Sequence, residues 1–124
     1  MELSLSSRIQ DGVAIIEAAG DVDVYSAPVF RERIVDLVDA GHVHLVVDLD
    51  GLEFLDSTGL GVLVGGLKRV RTRRGSLRIV CTKGHIIKPF QITGLTKVFT
   101  IHPTQEAATR AVGAASAGGT DVPG

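Results

Sequence analysis

Apolar residues in this chain recur first with the period of a strand, then of a helix, and the two periods go on alternating. Leu3 to Ile9 and Val13 to Ala19 are short alternating or apolar runs separated by Gln10-Asp11-Gly12. Asp-Gly supplies the positive φ angles of a tight turn, so the two runs are expected to form an antiparallel hairpin. After Gly20-Asp21-Val22-Asp23, the segment from about Ser26 to Ala40 places Val29, Phe30, Arg33, Ile34, Leu37 and Val38 at mostly helical spacing. Ser26 is the expected N-cap, Pro28 sits early, and Gly41 follows the end. His44 to Leu49 is a compact apolar run bounded by polar residues, the pattern of a buried central strand.

A short linker then leads to Asp56-Ser57-Thr58, whose side chains are suited to cap a helix expected from roughly Thr58 to Arg73 and stopped by Gly75. Leu60, Leu63, Val64, Leu67 and Val70 are its apolar residues. The remaining expected elements are a strand over Ser76 to Cys81, a short helix over His85 to Ile92, a strand over Val98 to Ile101, and a helix from Thr104 to about Val112. Two strands followed by alternating helix and strand imply an α/β fold. Its sheet is mixed, with about five strands including the N-terminal hairpin, and about four helices join and flank them. Residues 1–112 are expected to form one domain, and the Gly- and Ala-rich residues 113–124 a mobile tail.

Composition narrows the function classes. A chain of 124 residues with 44% hydrophobic content has room for one core. A net charge of -1 gives no general attraction to nucleic acid or an anionic membrane, and neither is expected as a direct partner. Cys81 is the only cysteine, so no internal disulfide is possible and a reducing compartment fits. The N-terminus lacks a secretory pattern, and no apolar run approaches the ~18 residues of a membrane helix, so a cytoplasmic location is expected.

Candidate chemistry concentrates at Phe54-Leu55-Asp56-Ser57-Thr58-Gly59-Leu60-Gly61, where two hydroxyls and a carboxylate meet the start of a helix. The residues alone leave two readings open. Ser57 is a plain helix cap, or it carries a regulatory phosphate that the helix dipole tolerates and that acts on whatever docks there. Asp21 and Asp23 belong to that surface if their loop lies at the same end of the sheet. The glycine spacing GxGxxxGG fits neither a dinucleotide fingerprint nor a phosphate-binding P-loop. Gly61 and Gly65, at i and i+4, are instead expected to let the helix approach the sheet. The basic run Lys68-Arg69-Val70-Arg71-Thr72-Arg73-Arg74 complements a helix C-terminus, with an acidic protein patch as the next reading. His42 and His44 lack a third metal ligand nearby, Cys81 reads as a buried hydrophobe, and Ser57 lacks a G-x-S-x-G elbow. No metal, cofactor or catalytic residue is expected, and the chain is not expected to be an enzyme.

At Asp56-Ser57-Thr58-Gly59-Leu60-Gly61 the sequence resembles the STAS domains of bacterial anti-sigma-factor antagonists, especially the actinobacterial BldG type. The likeness runs from about Leu3 to Val112, through Asp23 to Pro28, Phe54 to Lys68, and Ile92 to Phe99. It implies the STAS fold and a partner switch. In that switch the unphosphorylated protein binds an anti-sigma factor that is also a serine kinase, which frees a sigma factor. Phosphorylation at Ser57 inactivates it, and a PP2C-type phosphatase restores it. By the same resemblance Asp21, Asp23, Asp56, Ser57, Thr58, Gly59 and Leu60 contribute to partner binding, and Thr58 is a second candidate acceptor. A monomer is expected when the protein is free. The alternative is a STAS scaffold or small-ligand sensor within a larger signalling complex.

Overall fold

The hairpin forms around its Asp-Gly turn. In a computed structural model, which describes residues 1–118, strands β1 (Ser4–Gln10) and β2 (Val13–Val22) pair antiparallel, with Asp11 at φ 54° and Gly12 at φ 77°. Strands β3 (His44–Leu55), β4 (Ser76–Val80) and β5 (Ile101–His102) then add in parallel, so the sheet order follows the chain, β1-β2-β3-β4-β5. Helices α1 (Ala27–Asp39), α2 (Ser57–Arg71) and α3 (Gly84–Ile92) make the crossovers, and α4 (Gln105–Gly118) follows the last strand. Every crossover steps the same way across the sheet. The shared right-handedness of such connections therefore places α1, α2 and α3 over one face.

That face carries the larger core, where Ile16, Val47 and Ile79 of the sheet meet Phe30, Ile34, Leu63, Leu67 and Phe90 of the helices. Phe90 and Phe99 pack edge to face with centroids 5.9 Å apart. On the opposite face, α4 lays Ala108 and Val112 over Val13, Ile15, Val46 and Val80. Burial from both sides explains why Leu45-Val46-Val47 is continuously apolar, not alternating. Each fully buried Leu, Ile or Phe side chain contributes about 1.5–3 kcal/mol.

The strands that lead to the candidate site run further than their sequence pattern indicates. β2 continues past Ala19 to Val22, and β3 past Leu49 to Leu55. Two register irregularities, between Glu17 and Ala19 and between Gly20 and Asp21, each give β3 an extra residue against β2. The slips disturb the period of two, so Leu49, Leu52 and Leu55 are buried three residues apart. Gly51 permits the first of them, because a Cβ there would stand 2.8 Å from the Ala18 carbonyl oxygen.

Other expectations shift by smaller amounts. The last strand is Ile101–His102, not Val98 to Ile101, because a 3-10 turn at Leu95–Lys97 swings Phe99 into the core. α4 extends beyond Val112 to Gly118, and residues 119–124 of the expected tail lie outside the described residues. Gly61 and Gly65 do not face the sheet. Leu60, Leu63, Leu67 and Val70 set the phase of α2, which puts Gly59 and Gly66 on the buried side and leaves Gly61 and Gly65 with nothing within 4 Å of an added Cβ.

Candidate functional site

The carboxyl ends of β2 and β3 lie side by side, with Val22 paired to Leu55 and the Asp56 amide donating to the Val22 carbonyl at 3.3 Å. This register brings the 23–26 loop against the start of α2. Asp56, in extended conformation, is the N-cap: its Oδ1 accepts from the amides of Thr58 at 3.0 Å and Gly59 at 3.2 Å. Asp56 thereby satisfies two of the helix's orphan donors, and Ser57 becomes the first helical residue. Ser57 is exposed, and its hydroxyl makes no hydrogen bond among the described residues. The plain-cap reading of Ser57 is overturned, since the neighbouring carboxylate already does that work.

A second aspartate organises the adjoining loop. Asp23 Oδ1 accepts from the amides of Tyr25 at 2.9 Å and Ser26 at 3.0 Å, and the Asp23 carbonyl accepts from Ala27 at 2.8 Å. The Ser26 amide, followed by that of Tyr25, holds the Asp23 carboxyl below the usual aspartate range. Ser26 itself makes no capping bond to α1; its hydroxyl donates to the Asp21 carbonyl at 3.0 Å and accepts from the Asp23 amide at 3.0 Å. The expected side-chain cap from Ser26 is therefore absent, and the Asp23 carboxylate instead closes the turn ahead of α1 by taking two amides that precede the helix.

Of the other positions singled out from sequence, Asp21 is half-buried and its carboxylate meets the Met1 amino group. Thr58 is exposed on the groove between α1 and α2. Gly59 and Leu60 are buried beneath the surface and support it from below. Sequence reasoning missed the exposed apolar residues around this end: Val24, Tyr25, Val29 and Phe54, with Tyr25 88% exposed. Their signal was the pair Val24-Tyr25 inside a turn and Phe54 beside the core residue Leu55, two positions ahead of the cap.

The STAS domain family matches residues 4–108. The chain belongs to that family. An anti-sigma-B factor antagonist from Bacillus subtilis is 37% identical to this STAS domain over 106 residues, covering 86% of this chain and 96% of the relative. The crystal structure of an anti-sigma factor antagonist from Mycobacterium paratuberculosis superposes with a TM-score of 0.83 at 30% identity, covering 90% of this chain and 94% of that one. SpoIIAA, an anti-sigma factor antagonist in its unphosphorylated form, shares the fold with a TM-score of 0.75 at 21% identity, covering 90% and 97% of the two chains.

Elsewhere in this STAS domain two of the histidines and the cysteine are held by the fold. His44 Nδ1 meets Ser76 Oγ at 2.9 Å, and His85 Nε2 meets the Glu53 carbonyl at 3.0 Å. Burial pushes the Cys81 thiol above its ordinary value. Arg73 donates to the Val38 carbonyl at 2.9 Å, which ties the basic end of α2 to α1. Among the described residues no His, Cys, Asp and Glu group is arranged to hold a metal, and no helix is long and apolar enough to cross a membrane. A cavity of about 760 Å³ lies between the hairpin turn and α4, at the end of the sheet away from Ser57.

Proposed function

We propose that this STAS domain is an anti-sigma-factor antagonist controlled at Ser57. Unphosphorylated, it binds an anti-sigma factor that also acts as a serine kinase, and the sigma factor is released. The kinase transfers a phosphoryl group to Ser57 and ends the interaction, and a PP2C-type phosphatase reverses the modification. The observation that carries this reading is an exposed serine hydroxyl, relieved of capping by Asp56, on a surface that also presents Val24, Tyr25 and Phe54. The names of the B. subtilis and M. paratuberculosis relatives support the antagonist class.

The physics of the site fits a switch that acts on the partner rather than on the fold. A phosphate adds a charge of about -1.5 to -2 at the amino end of α2, where the helix dipole favours an anion even though Asp56 already holds the Thr58 and Gly59 amides. The first turn of α2 holds no acidic residue, and the one carboxylate next to the phosphate is that of the cap, Asp56, already bound to two amides. The domain should stay folded, while a dianion beside Tyr25 and Phe54 prevents the desolvation an apolar contact requires.

Site mapping on protein from the native host tests the first half: a phosphate localised to Ser57 is expected, and its absence from that residue under every growth and stress condition would overturn the reading. Binding to the captured anti-sigma factor tests the second. Ser57→Ala should bind constitutively, and Ser57→Asp should unfold at the wild-type temperature yet bind at least about tenfold more weakly, a loss of about 1.4 kcal/mol or more. Wild-type affinity in Ser57→Asp would sink the mechanism.

A further inference from the structure

Ser57 and Thr58 are adjacent in sequence but lie in different surroundings, because consecutive residues on a helix point about 100° apart. Ser57 lines neither of the two cavities that run between α1 and α2, whereas Thr58 lines both, one of about 300 Å³ and one of about 470 Å³. Arg31 of α1 lines the same two cavities, as do Val35 and Val62. Thr58 and Arg31 thus stand on opposite walls of one groove. Among the described residues the Thr58 hydroxyl has no hydrogen-bond partner, and the Arg31 guanidinium has neither a hydrogen bond nor an ion pair. Arg69, which lines the smaller cavity alone, likewise has no carboxylate partner among the described residues, so what distinguishes Arg31 is its place in both cavities.

We propose that Thr58 is a second phosphate acceptor whose phosphate is held within the domain by Arg31. The reaction is phosphoryl transfer from ATP by a serine/threonine kinase. The Thr58 Oγ1–P bond forms, the bond from the γ-phosphorus to the bridging oxygen of ADP breaks, and the hydroxyl proton passes to a base of the kinase. The guanidinium then takes the phosphate oxygens in a paired, charge-assisted fork. The chemical outcome differs from that proposed for Ser57. A phosphate on Thr58 cross-links α1 to α2 across the groove and stiffens the domain, against the opposing charge of Glu32, which lines the larger of the two cavities.

This deepens the proposed control of the Ser57 surface, but its test needs no sigma-factor partner, so the two readings fail separately. The first arm is a double-mutant cycle read by thermal unfolding of the whole chain: Thr58→Glu, Arg31→Gln and the combination, at low and at high salt. Thr58→Glu is expected to raise the midpoint by about 2–5 °C. With Arg31→Gln the rise should shrink to the part the helix dipole supplies, and high salt should erode the coupling. An equal rise in both Arg31 backgrounds would overturn the clamp. The second arm is phosphosite mapping of the Ser57→Ala variant from the native host across growth and stress. A single phosphate on Thr58 is the expected result, and its absence under every condition would overturn Thr58 as an acceptor.

Discussion

At the scale of single residues, the site depends on a division of labour among neighbours with similar side chains. Asp56 caps, Ser57 is left free, and Thr58 turns toward the groove. Asp56→Ala should therefore cost about 1 kcal/mol through two lost amide bonds, measurable as a lowered denaturant midpoint with an unchanged slope. Sequence could show that this triplet supplies helix-capping groups, but not which of them caps. That choice rests on the backbone of Asp56, which is extended with ψ near -175°, while Ser57 is already helical. One residue of register decides whether a hydroxyl serves the fold or faces outward.

At the scale of elements, α2 shows what a one-dimensional pattern can and cannot convey. Its apolar residues predicted a helix and its approximate span, but glycine carries no hydrophobic signal, so the packed and open glycines looked alike. Their fates are opposite. An added Cβ at Gly59 would stand 2.4 Å from Leu55 Cδ1 and 2.7 Å from Val22 Cγ1, whereas at Gly61 and Gly65 it would meet nothing within 4 Å. Gly59→Ala should cost about 1–3 kcal/mol by overpacking, while Gly61→Ala and Gly65→Ala should each add about 0.5–1 kcal/mol through helix propensity; chemical denaturation of the three variants would show the split. The long tails of β2 and β3 escaped prediction for a related reason. Period-two reading assumes one residue opposite one, and the register slips break that assumption at the stretch that delivers the chain to the site.

At the scale of the whole molecule, the sheet holds its helices on two faces with unequal chemistry. The α1–α3 face is apolar, whereas the α4 face also contains Arg78, His102, Gln105 and Asp48, with Arg78 Nη1 3.3 Å from His102 Nε2. Burial, and next the Arg78 charge, hold the His102 imidazole below its ordinary value of 6.5. The unfolded chain therefore takes up a proton that the folded one resists. That contribution to stability is complete above the unfolded value and is lost as pH falls through the folded one. As pH falls below about 6.5 the unfolding midpoint should drop, and His102→Gln should flatten that slope. Glu17 and Asp23, whose carboxyls are held low by hydrogen bonds, contribute stability that is lost only as pH falls below about 5. The mixed sheet, the hairpin and the crossovers were legible because each left its own period in the chain. The pairing of Arg78 with His102 was not, because 24 residues separate them and only the parallel register of β4 and β5 brings them together.

The passage from β3 into α2 through Asp56 alone has a consequence for any enzyme that modifies Ser57. Kinases commonly thread a slack, extended peptide through a cleft, but here no slack exists. Strand pairing grips the hydroxyl's backbone on one side and a helical turn on the other. A modifying enzyme would have to close over a folded surface and read residues far apart in sequence, such as Tyr25 and Phe54. An excised peptide covering the same stretch would be a poor substitute for the domain. Chains that have lost their fold would escape marking altogether, so the signal would count only copies that are able to act on it.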